Sequence, residues 1–143
     1  TVNGKVYGVD IDPFLLDQAR IALDKYGTTA LDLICADARG LPELLPGKAD
    51  YVLIANTFHG VPEKAEMARA VAAVLNPGGW FVIVNWHSFP REETTVLDGP
   101  RGPKTEMRMS PDQVRAVVEP AGFQFAGLVE LPPYHYGAIF NKT

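Results

Sequence analysis

Cysteine is almost absent from this sequence: Cys35 is the one thiol in 143 residues. That excludes a disulfide scaffold and any multi-cysteine zinc site, and it suits a reducing, cytoplasmic compartment. Long apolar runs are missing too. No stretch approaches the ~18 consecutive apolar residues expected of a spanning helix, and no signal-peptide pattern opens the chain, so a membrane is not an expected partner. Positive charge is in deficit, with 13 Lys and Arg against 17 Asp and Glu and a net charge of −4. Nucleic-acid binders usually carry a basic surface, so nucleic acid is not expected either. There is no internal repeat and no interdomain linker. What remains is globular: 47% hydrophobic and 21% charged residues, in a length suited to one domain.

Apolar runs and turn signals alternate along the chain. Lys5 to Asp10 (KVYGVD) reads as a strand, and Asp12-Pro13 then supplies an N-cap and a first helical proline. Leu15, Ala19, Ala22 and Tyr26 recur at helical spacing up to Gly27, a stop signal. Leu31 to Ala36, Tyr51 to Ala55 and Trp80 to Val84 read as further buried strands, which places Cys35 in an interior-type segment. Between them a helix opens at Pro62, carries Ala68, Val71, Ala72 and Leu75 on one stripe, and stops at Asn76-Pro77-Gly78-Gly79. Ser110-Pro111 caps a last helix, and Phe123 to Leu131 and Tyr136 to Phe140 form the final strands. Residues 88–109 show no sustained period, and so long a connection is expected to cover a site. This alternation predicts an α/β domain with a mainly parallel, twisted sheet and helices on both faces.

In such sheets ligands bind beyond the carboxyl ends of the strands, so the residues just after each strand carry the interest. Asp10 ends the first visible strand, where a carboxylate can accept two hydrogen bonds from a ribose diol. Asp37 follows the next strand and is placed to accept from an adenine amino group. Each aspartate alone would serve equally as a turn or capping residue. Their order, followed by Asn76-Pro77-Gly78-Gly79 ahead of an apolar strand, narrows the reading.

At this point the sequence resembles the class I S-adenosylmethionine-dependent methyltransferases. The stretches that carry the resemblance are VYGVDIDPFLLDQAR (6–20), CADARGLP (35–42), ADYVLIANTFHGVP (49–62), VLNPGGWFVIVNW (74–86) and MSPDQVRAVVEPAGF (109–123). The resemblance implies a Rossmann-like fold with strand order 3-2-1-4-5-7-6 and an antiparallel last strand. It implies S-adenosylmethionine as cofactor, with Asp10 on the ribose, Ile11 packed on the adenine, and Asp37 and the Ala38 backbone near the adenine amino group. Asn56 is implied to lie near the methionine end. The family's first strand and its GxGxG loop are not found here, and Gly78-Gly79 precedes a strand rather than a helix. The expectation is therefore a single, partial domain over residues 1–143, truncated at its amino terminus, that binds the cofactor weakly by itself and exposes sheet edges able to self-associate.

Methyl transfer from a sulfonium needs positioning above all, with a base helping some acceptors. All three histidines, His59, His87 and His135, fall where strands end or turn, and are the candidates for that base. A histidine-only metal trio lacks any ligand spacing, so no metal is expected. Phe58, Tyr134 and Tyr136 are expected to wall the substrate, with Trp86 in the packing behind them. Arg91, Arg101, Lys104 and Arg108 offer cations to an anionic substrate, balanced by Glu92, Glu93, Asp98 and Glu106. The acidic balance and small size favour a small-molecule acceptor. The rival readings are a non-catalytic methyltransferase-like interaction module, and a DxD phosphatase suggested by Val9 to Asp12 (VDID). For the phosphatase, Pro13-Phe14 is the wrong sequel to the second aspartate.

Overall fold

The computed structural model describes residues 4–27 and 31–143; Thr1, whose place at the start bears on the truncation expectation, lies outside them. The chain forms two compact units, residues 1–46 and 47–143.

The first unit contains β1 (Val6–Asp10), α1 (Pro13–Tyr26), β2 (Leu31–Cys35) and the one-turn α2 (Leu41–Leu44). β1 and β2 pair in parallel, with Val6 opposite Leu31 and Asp10 opposite Cys35. The start of α1 is local chemistry. Asp12 accepts the Phe14 N–H at 2.9 Å, Pro13 opens the helix, and Gly27 closes it in the left-handed region at φ 65°. The apolar stripe differs from expectation. Leu16 is buried, whereas Leu15 is 51% and Tyr26 78% exposed. Two adjacent leucines offer two helix phases, and packing against β2 selects the one that turns Leu16, Ala19 and Leu23 inward. Cys35 is exposed, not interior, because β2 is the edge of a two-stranded sheet.

The second unit contains β3 (Ala49–Ala55), α3 (Lys64–Val74), β4 (Leu75–Trp86), the short hairpin β5 (Thr95–Val96) and β6 (Gly99–Pro100), α4 (Pro111–Val118), β7 (Phe123–Leu131) and β8 (His135–Lys142). Its main sheet runs β3-β4-β8-β7, with β3 and β4 parallel and β8 antiparallel to both neighbours. The two sheet orders, β2-β1 in the first unit and β3-β4-β8-β7 in the second, each reproduce a part of the expected order. The fold is thus the expected α/β, Rossmann-like one, with a mixed sheet and its last strands antiparallel.

The Asn-Pro-Gly-Gly segment does more than stop a helix. Ala49 faces Leu75 while Tyr51 faces Trp80, so Asp50 alone opposes the whole bulge. Asn76 donates to the Asp50 carboxylate at 2.8 Å, and a Cβ on Gly79 would sit 2.8 Å from the Asn76 carbonyl oxygen, so only glycine fits.

Alternation along β4 decides which face is core. Phe81 and Ile83 are fully buried with Ala138 and Phe140 of β8, beneath Met67, Val71 and Val74 of α3 and Val114 and Val118 of α4. Phe81 meets Phe123 and Phe140 at ring distances of 5.3 and 6.3 Å. Each such side chain contributes about 1.5–3 kcal/mol of burial free energy. Asn85 shares this inward phase, which matters below.

Candidate functional site

In the first unit the parallel register brings Asp10 and Asp37 to one edge. Asp10 is paired with Cys35 at the carboxyl ends of neighbouring strands, and Asp37 follows two residues later. One Asp10 oxygen, Oδ1, accepts the Asp12 N–H at 2.9 Å, leaving Oδ2 for another donor. Ile11 beside it is 70% exposed, an apolar side chain at the mouth of the strands. Ala38 opens the 3-10 turn Ala38–Gly40.

Asp37 is more heavily engaged than the sequence implies. Its carboxylate takes the Arg39 N–H at 2.9 Å and the Arg39 guanidinium at 2.6–3.1 Å through both oxygens. The side-chain bonds from Arg39, then its backbone bond, hold the Asp37 pKa down at about 2, so it is ionised at neutral pH. A carboxylate has about four acceptor positions, and Arg39 makes four contacts here, two on each oxygen. What suits an adenosine is the free oxygen on Asp10 and the apolar neighbour in Ile11, with the ionised Asp37 at the same edge. Asn56 belongs to the second unit, where it follows β3 in the left-handed region at φ 57° and donates its N–H to the Val84 carbonyl oxygen at 2.8 Å.

The three histidines of the second unit differ in what they are free to do. His87 is committed, its Nε2 lying 2.8 Å from the Glu130 carboxylate and its ring stacked at 5.1 Å on Phe89. His135 lies against Trp86 at 4.2 Å; burial, then the neighbouring His87 and Arg108, lower its pKa. His59 sits in the 3-10 turn Phe58–Gly60 after β3 and borders an open cavity of about 540 Å³, lined also by Lys64, Met107, Arg108, Gln113 and Val117. Burial lowers the His59 pKa as well, with Asn85 opposing and the Lys64 and Arg108 cations reinforcing the shift. His59 is thus neutral at pH 7 and able to accept a proton. Among the described residues no group of three His, Cys, Asp or Glu is close enough to hold a metal ion.

Two of the expected substrate aromatics are corrected. Phe58 and Tyr136 are fully buried, so their rings belong to the core rather than to a wall facing a ligand. For Tyr136 the strand phase explains it, since it lies opposite Asn85 on the helix-covered face of the sheet. Tyr134 is half-buried, stacks on Trp86 at 6.0 Å and donates to the Thr95 carbonyl oxygen at 3.1 Å.

Residues 88–109 are built rather than slack. Arg108 is 5% exposed, and its guanidinium donates to the carbonyl oxygens of Pro103, Phe89 and Arg101 and to the Thr94 hydroxyl at 2.8–3.1 Å. It also lies 5.2 Å from the Trp86 ring. Arg91 similarly donates to the carbonyl oxygens of Gly102 and Pro100. These two arginines, read from the sequence as cations for a substrate, hold backbone instead. Asn85 is singled out in the sequence only as a residue just after a strand, although it is the polar residue in the inward phase of Phe81 and Ile83, a signal that alternation alone carries.

The fold is a Rossmann-like α/β fold with a mixed sheet, and the sequence shows which family of that fold the chain belongs to. Residues 1–83 match the Methyltransferase domain family, and the chain belongs to that family of class I S-adenosylmethionine-dependent methyltransferases. The ubiquinone/menaquinone biosynthesis C-methyltransferase of Escherichia fergusonii is 28% identical over 146 residues, covering 85% of this chain and 57% of that protein. The methyltransferase gedG of Aspergillus terreus is 24% identical over 97 residues, covering 68% of this chain and 30% of that protein. The chain therefore spans little more than half of the first of these relatives and less than a third of the second. A solved S-adenosylmethionine-dependent methyltransferase from Aquifex aeolicus superposes with a TM-score of 0.81 at 22% identity, over 98% of this chain and 70% of that one. Another, from Clostridium acetobutylicum, gives 0.73 at 10% identity, over 97% and 75%. No helix among the described residues is long and apolar enough to cross a membrane.

Proposed function

We propose that this chain serves methyl transfer from S-adenosylmethionine to a small-molecule acceptor, with Asp10 and Asp37 of the first unit gripping the adenosine; within the second unit, His59 is the candidate for a proton-accepting base. One observation carries the reading: two neighbouring parallel strands lead at the same edge to carboxylates, Asp10 with its Oδ2 free and Asp37 ionised. Bound there, S-adenosylmethionine supplies an electrophilic methyl group on a sulfonium. The residues supply the rest. Asp10 Oδ2 accepts from the ribose hydroxyls, Asp37 accepts from the adenine amino group, Ala38 lies beside it, and Ile11 covers the ring face.

The acidic overall charge and a relative named for quinone biosynthesis both support a small-molecule acceptor. His59 is preferred to His87, which Glu130 already holds, and to His135, whose ring lies against Trp86. Residues 88–109 form the cover over the acceptor. Because these 143 residues contain no GxGxG loop, the affinity of this chain by itself is expected to be weak.

Amide NMR tests this even at weak affinity. Titration with S-adenosylmethionine is expected to move the resonances of residues 10–12 and 37–39. Asp10→Ala should weaken that binding by roughly 10- to 100-fold, the loss of about 1.5–3 kcal/mol from a charge-assisted hydrogen bond. Binding unaffected by Asp10→Ala removes the ribose role, and micromolar affinity of the wild-type chain removes the weak-binding expectation.

A further inference from the structure

We propose that Asn85 and Tyr136 are positioning residues for His59, fixing its proton on Nδ1 so that Nε2 is the nitrogen that takes a proton. This deepens the methyl-transfer reading and rests on it for the identity of the proton's donor. The orienting chain itself rests on the second unit alone.

The geometry begins with the sheet. Asn85 and Tyr136 are directly opposite residues on β4 and β8, and they are 1% and 0% exposed. The turn bearing His59 follows β3, which pairs with β4 up to Val84, and the Asn56 N–H donates to the Val84 carbonyl oxygen just before that turn. The turn therefore packs against β4, and Asn85 is among the groups that act on the His59 ring.

Hydrogen-bond polarity then fixes the direction of the chain. The Tyr136 hydroxyl donates to the Met109 carbonyl oxygen at 2.7 Å, so its one proton is committed and its oxygen can only accept. An amide meeting that oxygen must present Nδ2. Its Oδ1 is then turned the other way and needs a donor. Both ends of the Asn85 amide and the His59 Nδ1 are buried and make no hydrogen bond in this structure. Buried polar groups left unpaired are destabilising, so a small side-chain adjustment that pairs them with one another is favoured. Nδ1–H is the donor that completes the series, and the lone pair is left on Nε2.

The electrostatic influences of Asn85 have the sign this arrangement requires. Asn85 raises the pKa of His59 and lowers that of Tyr136, as an amide must when it accepts from an imidazole and donates to a phenol oxygen. Burial is the larger influence on both. It keeps His59 neutral and pushes Tyr136 up to about 12, so the tyrosine stays a donor to Met109.

The proton balance closes without another reagent. The acceptor atom loses one proton for the methyl group it gains, Nε2 takes that proton, and the positive charge that enters as sulfonium ends as imidazolium. The imidazolium is formed with its Nδ1–H already held by Asn85.

Long-range ¹⁵N NMR of the histidine ring, at a pH where it is neutral, reads the tautomer directly. The wild-type chain is expected to show His59 as the Nδ1–H form. Asn85→Leu should shift it toward Nε2–H. Asn85→Asp, whose carboxylate also accepts from Nδ1, should restore Nδ1–H and raise the His59 pKa. Tyr136→Phe removes the oxygen that orients the amide and should give a mixture, which serves as the reading if Asn85→Leu fails to fold. An Nε2–H wild type, or a tautomer indifferent to both Asn85→Leu and Tyr136→Phe, overturns the proposal. If the Nδ1–H form appears while residues 10–12 and 37–39 ignore S-adenosylmethionine, the orienting chain stands and the transfer reading falls.

Discussion

Replacing Arg108 with alanine removes the group that ties residues 88–109 together. Four of its hydrogen bonds are 3.1 Å or shorter and reach Phe89, Thr94, Arg101 and Pro103, residues otherwise separated along the chain. At a net ~1 kcal/mol each, partly offset because the guanidinium no longer has to be buried, the loss is about 3 kcal/mol. That is roughly two decades in a local opening constant. Hydrogen exchange reads it where it acts, at the Arg101 and Thr94 amides, which donate to the Thr94 and Arg91 carbonyl oxygens. Their protection should fall by about 100-fold in Arg108→Ala, or to none if it starts below that, while the Phe81 and Phe140 amides keep theirs. Arg108→Lys should recover only a minor part, since an ammonium cannot span acceptors arranged for a planar fork. Protection at Arg101 and Thr94 within threefold of wild type in the alanine variant would refute the reasoning, and the segment would have to be held by the β5–β6 hairpin and Arg91 instead.

Gly102→Ala should destabilise the second unit by about 2 kcal/mol or more in chemical denaturation, because strain and collision combine. Gly102 has φ 84°, and a Cβ there would lie 2.7 Å from the Trp86 ring, whereas Gly47→Ala meets nothing within 4 Å and is expected to be neutral. The pH dependence follows from His59 and His135, both lowered chiefly by burial from an ordinary value of 6.5. The unfolded chain then binds protons that the folded one refuses, so stability is fullest above that value and is lost as the pH falls through the folded pKa values. Denaturation midpoints between pH 8 and 5 should decline accordingly, with His59→Gln flattening part of the slope; a flat wild-type profile contradicts it.

Much of the site was legible because it depends on short-range patterns. Asp10 and Asp37 end apolar runs, and once two such runs are parallel neighbours their ends must coincide. Asp12-Pro13, Gly27 and Ser110 set helix ends by bonds within three residues, the last as a full capping box with Gln113. Other features gave no local sign. The β5–β6 hairpin turns at Leu97 and Asp98 with φ 49° and 64°, where Asn-Gly would have announced it. Arg108 looked like a surface cation because its acceptors lie 5 to 21 residues away.

The sequence by itself determined the alternation of strands and helices, the caps, and the acidic strand ends, since each follows from neighbours within a turn or a pleat. Tertiary structure alone decided that Leu16 rather than Leu15 faces inward, that Phe58 and Tyr136 are core, and that Asn85 lies opposite Tyr136. The first depends on α1 packing against β2 and the last on which residue the pairing of β4 with β8 sets opposite which, and neither neighbour is visible until the other element is laid beside it.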